Sequence, residues 1–375
     1  MDIYERLGVR RVINASTSYT ALGGSLMPAG VLDAMRSAAG SFVDMHELHL
    51  AAGRRLAELT RNQAAYVTAG CAAALVLATL ACRTGGDPRV IARMPNAPDL
   101  PDEVVMHTAH RMPYDPALRL AGVRIHQVGD VLQTFRWELE EAIGERTVAV
   151  LYVAGSHLPQ GGLPLEEVVE VADTRGVPVI VDAAAQLPPV SNLWHFTTEA
   201  GADLALFSGG KALRGPQPTG LMVGQPDLVE AARQNGAPYQ RLARAMKVGK
   251  EEIAGLVAAV DRYVHLDHDA LHREWDRVVS FWAEELAGLP GVVVTREAHN
   301  EAGQPVPRLH VAVDEATAKA DAATVVARLL EDDPAVAVIP DAPLGRPRGF
   351  WIGPDQLERG EAELVASALR RQLGG

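Results

Sequence analysis

Two reactive side chains each follow a short apolar run in this sequence. Val179-Ile180-Val181 leads directly into the carboxylate of Asp182. Leu204–Phe207 leads through Ser208-Gly209-Gly210 to the amine of Lys211. Because parallel strands end at the same edge of an open α/β sheet, where ligands bind, we expect the carboxylate and the amine to lie close together. Taken singly, Asp182 could instead cap a turn, and Lys211 could be a solvated surface residue.

A third segment, Val67-Thr68-Ala69-Gly70-Cys71-Ala72-Ala73-Ala74, places small residues at the start of a helix. Unpaired backbone N–H groups and the positive end of a helix dipole can hold a phosphate there. A tightly packed helix start gives the same pattern, so this segment alone is weak evidence. Together the three segments supply a phosphate cradle, a lysine for a Schiff base and a carboxylate that keeps a pyridine nitrogen protonated. These groups hold pyridoxal phosphate (PLP).

The segment Phe207–Gln217, Phe-Ser-Gly-Gly-Lys-Ala-Leu-Arg-Gly-Pro-Gln, resembles the cofactor-lysine segment of the bacterial selenocysteine synthases (L-seryl-tRNA selenium transferases). It is closer still to their shorter relatives, a group that includes D-glucosaminate-6-phosphate ammonia-lyase. The resemblance covers nearly the whole chain and is most specific at the lysine segment and at Arg241–Lys250. It extends to Asn14–Ser25, His110-Arg111, Tyr114-Asp115, Val181–Gln186 and Gly220–Gly224.

The resemblance implies a role for each residue around the cofactor. Lys211 would bind PLP covalently, and Asp182 would pair with the pyridinium nitrogen. A histidine would stack on the ring, and His110 is the expected one, with His107 as the rival. The residues expected around the phosphate are Gly70, Cys71, Thr68 and Ser208.

Gln186 is also expected at the cofactor, although it lies four positions after Asp182 rather than the three found in the cysteine desulfurases. Arg241 and Arg244 are three residues apart, on one side of a helical turn, and resemble the basic pair that binds the anionic part of the substrate in this family. The alternative is a solvated basic face. Further expected substrate contacts are Arg214 and Thr20.

The implied protein is a PLP-dependent enzyme, a lyase or transferase, in which the Lys211 amine removes the α-proton of an amino acid. The expected reaction is β-elimination with deamination by a lyase. Racemisation or epimerisation, and transamination, remain alternatives because the shared residues do not choose among them. A catalytically idle PLP-binding regulatory protein is the non-enzymatic alternative, but it would not need both an electron sink and a mobile base.

Short β-branched runs alternate with helical patterns over residues 46–245, which is typical of a mostly parallel sheet covered by helices. The resemblance implies fold type I, the aspartate aminotransferase-like α/β fold of PLP-dependent transferases, with this stretch as its large PLP-binding domain. We expect residues 1–45 to form an arm and part of the small domain, and residues 246–375 to form a smaller α+β domain.

Individual elements follow from the same patterns. A long helical stretch is predicted over Lys247–Leu286, with antiparallel strands at Gly291–Thr295 and Arg308–Val313 after it. The strands predicted for the large domain are Val104–His107, Val123–Val128, Val148–Val153, Val177–Val181, Leu204–Phe207 and Leu221–Val223.

The composition of the chain favours some classes of binding partner over others. The 375-residue chain carries a formal net charge of −12, which disfavours nucleic acid and anionic membrane surfaces. Together with the short segment before Asn14, this charge argues against a tRNA substrate. The longest weakly polar run, Ala69–Cys82, is too short to span a bilayer. We therefore expect a small-molecule amino-acid substrate, and the resemblance implies a homodimer or higher homo-oligomer.

The positions of the cysteines and histidines indicate the expected cellular location and whether a metal site is expected. Cys71 and Cys82 offer no disulfide framework, and the first residues lack a secretion signal, so a cytoplasmic location is expected. His46-Glu-Leu-His49 is one residue short of the spacing that places two zinc ligands on one helix face. No metal site is expected.

Overall fold

The computed structural model describes residues 2–155, 161–342, 345 and 347–374. The helices, numbered in chain order, are Ile3–Leu7 (α1), Ala29–Ala39 (α2), Met45–Leu59 (α3), Cys71–Thr84 (α4), Pro88–Ile91 (α5), Pro116–Leu120 (α6), Arg136–Ala142 (α7), Leu165–Thr174 (α8), Asn192–Trp194 (α9), Pro226–Asn235 (α10), Lys250–Val264 (α11), His268–Leu286 (α12), Ala322–Glu331 (α13) and Glu361–Leu373 (α14). The strands are Val12–Asn14 (β1), Ala64–Thr68 (β2), Glu103–His107 (β3), Arg124–Val128 (β4), Thr147–Val153 (β5), Val179–Asp182 (β6), Leu204–Ser208 (β7), Gly220–Gly224 (β8), Val292–Glu297 (β9), Arg308–Val313 (β10), Ala335–Ala337 (β11), Ile339–Pro340 (β12) and Gly349–Ile352 (β13).

The chain divides into two compact units. The large unit is Ser25–Leu266, and the small unit combines Met1–Gly24 with Asp267–Gly375. Residues 25–45 and 246–266 therefore join the large unit, which corrects the boundaries expected from the sequence. The physical reason is that α11 packs against both α2 and α3, so these helices complete one core.

The large unit is built on a seven-stranded sheet in the order β2-β8-β7-β6-β5-β3-β4. Strands β4, β3, β5, β6 and β7 run parallel to one another, whereas β8 runs antiparallel to both β7 and β2. The prediction of a mostly parallel sheet is confirmed. All six strands predicted for this domain occur within a few residues of their expected bounds, and β2 is an additional edge strand.

Two hydrophobic cores cover the two faces of this sheet, because successive side chains of a strand point to opposite sides. Helices α3, α8 and α11 pack on the face that carries Val105, Val150 and Val181. Helix α4 packs on the face that carries Val104, Ala149 and Ile180. Both faces are thus apolar, and polar side chains of the central strands are concentrated at their ends.

The small unit contains the antiparallel sheet β12-β13-β10-β9 and the parallel pair β1-β11. Helices α12, α13 and α14 cover these strands around the buried Trp282 and Phe350. The long helical stretch predicted over Lys247–Leu286 is instead two helices, and α12 begins where the Asp267 side chain accepts the Ala270 N–H. Within the described residues, no helix combines the length and apolar composition needed to cross a membrane.

Candidate active site

The carboxyl ends of β6 and β7 place the expected carboxylate and amine at one edge of the sheet. Asp182, the last residue of β6, pairs in register with Val153 of β5 and with Leu206 of β7. Ser208 ends β7, and Lys211 follows in the turn that begins there. The positive charge of Lys211 acts on the Asp182 carboxylate, so the two groups lie within electrostatic reach.

The Asp182 carboxylate is buried, with 6% of the residue exposed. Its Oδ1 atom accepts the Ala184 N–H at 3.0 Å and faces the Cys71 thiol at 3.9 Å. Burial raises the pKa of Asp182, while the Ala184 hydrogen bond, Lys211 and the Cys71 thiol lower it. A buried carboxylate is costly unless it meets a positive or proton-bearing group, so this side chain is suited to a protonated ring nitrogen.

The start of α4 forms a turn closed by small residues. Gly70 adopts φ of +88° and provides no side-chain cap, which leaves the first-turn N–H groups of α4 to a ligand. The Thr68 hydroxyl donates to the Gly70 carbonyl oxygen at 3.0 Å and stabilises the turn. A Cβ at Gly220, opposite Thr68 in β8, would lie 2.5 Å from the Thr68 hydroxyl oxygen, so only glycine fits there.

His107 is the last residue of β3 and His110 lies three residues beyond it, and the two histidines pack against each other and against Tyr152. The rings of His107 and His110 are 4.8 Å apart, and the His110 and Tyr152 rings are 4.7 Å apart, edge to face. The Val153 N–H donates to His110 Nδ1 at 3.4 Å, which places the His110 proton on Nε2.

His107 has the opposite tautomer. The Leu163 N–H donates to its Nε2 at 3.3 Å, which places the proton on Nδ1. That Nδ1 is buried and has no hydrogen-bond partner among the described residues. His107 is 0% exposed and His110 is 4% exposed, so His110 is the better placed of the two to face a ligand.

These histidines make stability dependent on pH. Burial lowers the pKa of His110 to about 4, and burial and the neighbouring His110 lower that of His107 to about 3. In the unfolded chain, the imidazoles of both histidines bind protons below about pH 6.5. Stability is therefore complete above that pH and is lost as the pH falls toward 4, by about 3 kcal/mol for His110.

We expect His110→Asn to weaken this acid sensitivity, because the amide oxygen can still accept the Val153 N–H but does not titrate. The measurement is denaturant unfolding at several pH values between 7 and 4.5. His299→Gln, at an exposed histidine, is the control, and its unfolding free energy should change with pH at the same slope as that of the parent. An unchanged slope in His110→Asn would show that other groups cause the acid sensitivity.

The remaining expected residues occupy several places. Gln186 is 8% exposed and follows Asp182 in the same loop, where its N–H donates to the Ala183 carbonyl oxygen. Arg214 lies in the Lys211 turn with φ of +54°. Thr20 begins a short 3₁₀ turn of the small unit, Thr20–Leu22, and is exposed.

Arg244 of the basic pair lies in a 3₁₀ turn, Leu242–Met246, rather than in an α-helix. Arg241 precedes the turn and accepts the Arg244 N–H at its carbonyl oxygen. The backbone of Arg241 is extended rather than helical, so the turn does not hold the two side chains on one face. The turn packs against α4, the helix that begins at Cys71.

Some groups of this region were not predicted. Tyr152 contacts both histidine rings, and a Cβ at Gly162 would lie 2.6 Å from His110 Nε2. Tyr152 lies in a strand that was expected from the sequence, but nothing in the sequence links Tyr152 or Gly162 to the histidines, because their proximity depends on the tertiary fold. Gln217, inside the lysine motif, has a buried Nε2 without a partner among the described residues.

No group of three or more His, Cys, Asp or Glu side chains in the described ranges could hold a metal ion. His46 instead lies edge-on to Tyr239, with ring centroids 4.9 Å apart, and His49 lies against Tyr66 at 5.1 Å.

The groups at this sheet edge fit PLP. A helix start without a side-chain cap suits the phosphate, the buried Asp182 carboxylate suits a protonated ring nitrogen, and Lys211 follows on the neighbouring strand. Their residue types and placement satisfy the three requirements of the cofactor independently of any relative.

Comparison with known proteins agrees with this geometry. The sequence profile of the L-seryl-tRNA selenium transferase (SelA) family matches residues 12–280. The chain belongs to this family. It is a PLP-dependent enzyme of fold type I, as the resemblance implied.

Individual members of the selenium transferase family and its relatives are similar over most of the chain. A 5'-C-glycyluridine monooxygenase-decarboxylase of a Streptomyces species is 36% identical, over 89% of this chain and 83% of its own. The D-glucosaminate-6-phosphate ammonia lyase of Salmonella typhimurium (strain 14028s / SGSC 2262) is 33% identical, over 98% and 97%. A solved D-glucosaminate-6-phosphate ammonia-lyase structure superposes with a TM-score of 0.87, 32% identity, and coverage of 100% and 98%.

Proposed function

We propose that this family member is a lyase that removes the α-proton of an amino acid, expels a β-substituent and releases ammonia and a 2-oxo product. The observation that carries the proposal is the buried Asp182 carboxylate at the end of β6 beside Lys211 at the end of β7. The names of the similar enzymes, an ammonia lyase and a monooxygenase-decarboxylase, support chemistry at the α-carbon of an amino compound.

The residues divide the work as follows. PLP, when bound, withdraws electrons from the bonds at the substrate α-carbon. The Lys211 amine takes the α-proton at Nζ and holds it for transfer to the leaving group. The Asp182 carboxylate would keep the ring nitrogen of PLP protonated. The Ala184 N–H and the Cys71 thiol orient this carboxylate. Gly70, Thr68 and Ser208 would hold the phosphate, and His110 would lie against the ring with Gln186 nearby.

The product distribution tests the reaction. PLP-loaded protein, expected to absorb near about 420 nm, is incubated with D-glucosaminate 6-phosphate and with a panel of β-hydroxy amino acids. We expect ammonia and a 2-oxo acid in equal amounts, without net oxidation. Loss of stereochemistry without ammonia would indicate a racemase, and amino transfer to the cofactor would indicate an aminotransferase. Oxygen uptake with CO₂ release would indicate a monooxygenase-decarboxylase reaction like that named for the Streptomyces enzyme. Each of these outcomes contradicts the lyase proposal.

We expect Arg241→Ala and Arg244→Ala to raise the Michaelis constant for a substrate with a distal phosphate or carboxylate by about 10- to 100-fold, because charge-assisted hydrogen bonds contribute about 1.5–3 kcal/mol. The visible absorbance should not change. A lysine replacement should restore only part of the affinity, because a point charge cannot form a bidentate contact. Arg119→Ala removes an exposed arginine from α6 and is the matched control. Unchanged Michaelis constants in both variants would assign the pair to a solvated surface.

The expected self-association is also part of the proposal, with a second copy of this chain as the partner. Large apolar side chains are exposed along residues 26–50 at Leu26, Leu32, Phe42, Val43 and Leu50. Beside them, a cavity of about 510 Å³ between α2, α3 and α11 is lined mostly by apolar side chains. Several exposed apolar side chains close together along the chain, with a mostly apolar cavity between the same helices, are typical of a subunit interface.

Phe42→Asp should therefore weaken the homodimer at least about 100-fold, because a charge would be buried in the interface. Light scattering after size-exclusion chromatography at several concentrations measures the change. Val293→Asp, at an exposed apolar residue of β9, is the control and should assemble like the parent. A Phe42→Asp protein with the parent's mass would place the interface elsewhere.

The unpaired thiols Cys71 and Cys82 are compatible with the proposed cytoplasmic location.

A further inference from the structure

Arg262 is a part-buried cation with one guanidinium nitrogen that lacks an acceptor among the described residues. It lies near the end of α11, and its Nη1 is buried with no hydrogen-bond partner among the described residues. Burial and the positive charge of Arg214 both lower the pKa of Arg262. The adjacent carboxylate, Asp261, is bound by Arg55 at 2.7 Å. A buried charged donor without an acceptor is expensive, so this position is built for a negative group.

Packing brings Arg214 to the same place. The segment after Lys211 lies on α11: a Cβ at Gly215 would be 3.1 Å from the Ala259 Cβ, and a Cβ at Gly255 would be 2.7 Å from Pro216. Arg214 precedes Gly215, and Arg262 lies one helical turn after Ala259. The charge of Arg214 acts on Arg262, so the two side chains lie within electrostatic reach of each other where the Lys211 turn contacts α11.

The backbone of Arg214 gives independent evidence. Its φ of +54° lies in the left-handed region, where glycine is unstrained and a side chain is disfavoured. Strained residues persist where their side chains have a task that glycine cannot perform. An arginine at this position places a second cation beside Arg262 despite both the strain and the like-charge repulsion.

We propose that Arg214 and Arg262 together bind an oxyanion, a phosphate or a carboxylate, at the junction of the Lys211 turn and α11. Two adjacent guanidinium groups offer converging N–H donors that match the oxygens of such a group. This site is separate from the Arg241 and Arg244 pair and goes beyond the proposed function. The oxyanion can come from an acidic group of the substrate or from phosphate, whether inorganic or on the cofactor.

The test uses inorganic phosphate as the probe and PLP-loaded protein, with thermal unfolding as the readout. Phosphate should raise the parent's unfolding temperature, because a ligand that binds the folded state stabilises it. Arg262→Gln should weaken the apparent phosphate affinity at least about 10-fold. Arg214→Gly should weaken it similarly while unfolding at the same or a higher temperature without phosphate, since glycine removes the strain.

Arg61→Gln is the matched control. Arg61 also has a left-handed backbone, with φ of +55°, and its guanidinium stacks on Trp194 at 4.0 Å. This variant should respond to phosphate like the parent. If Arg262→Gln and Arg214→Gly respond to phosphate like the parent and also bind PLP as tightly as the parent, the pair is not an anion site and the proposal is wrong. The assay contains no substrate, so failure of the proposed lyase reaction would not affect it.

Two further measurements on the same variants identify the source of the oxyanion. If it belongs to the substrate, inorganic phosphate should compete with substrate in the parent but not in Arg262→Gln. If it is the cofactor's phosphate, Arg262→Gln should lower PLP affinity in equilibrium dialysis without changing the Michaelis constant. Either result supports the site. Phosphate competition and PLP affinity both equal to the parent's would contradict it.

Discussion

Lys211→Ala is expected to abolish the visible absorbance of the lysine-bound cofactor and to lower turnover by at least about 10⁴-fold. The substitution removes both the covalent attachment and the base that takes the α-proton. Lys211 lies in a turn after β7 and is only partly buried, so the fold should keep its unfolding temperature within a few degrees. Absorption spectra and ammonia release measure the two effects.

The matched control is Lys319→Ala, at a small-unit lysine whose Nζ donates to the Gly374 carbonyl oxygen. This variant should keep both absorbance and turnover. Added methylamine offers a second check, because a small amine can enter the space left by the Lys211 side chain and recover part of the proton transfer. A Lys211→Ala protein that still turns over at the parent rate would refute the assigned role of the lysine.

Asp182→Asn is expected to retain PLP but to lower exchange of the substrate α-proton by about 10²- to 10⁴-fold. A neutral amide no longer favours the protonated ring nitrogen, so the cofactor loses most of its capacity to accept electrons. Exchange with solvent deuterium, followed by NMR, isolates this step from later ones. Because the amide can still accept the Ala184 N–H, the loop after β6 should keep its conformation.

Asp203→Asn separates a general effect of burial from the specific role of Asp182. Burial also raises the pKa of Asp203, whose carboxylate accepts the Val179 N–H at 2.8 Å at the opposite end of the same strands. Its asparagine variant should exchange the α-proton like the parent. Equal exchange in the parent and in Asp182→Asn would show that another group keeps the ring nitrogen protonated.

Much of the site could be predicted because its residues end strands. An apolar run before Asp182 or Lys211 indicates where a parallel strand stops, and the shared edge of a sheet then brings such residues together. The same reasoning correctly placed the large sheet. Thr68 and Gly70 were expected near a phosphate for the related reason that small residues open a helix there.

Contacts between distant segments could not be predicted in this way. Cys71 meets Asp182 through packing of α4 on the sheet, over a sequence separation of 111 residues. The N-terminal segment was expected in the small domain, but the parallel pairing of Val12 with Ala335 that holds it there carries no local pattern. Arg262 lies on a helix whose sequence looks like an ordinary amphipathic one, and only its buried Nη1 without an acceptor among the described residues distinguishes it.

The most direct test of the central claim, that the ends of β6 and β7 form the PLP site, is to map the cofactor's covalent attachment. PLP-loaded parent protein is reduced with borohydride, digested and analysed by mass spectrometry. We expect a phosphopyridoxyl group on the peptide that contains Lys211. In Asp182→Asn protein, labelling of this peptide should fall only by the fraction of PLP that the variant has lost. A phosphopyridoxyl group confined to Lys247, Lys250 or Lys319 would contradict the account.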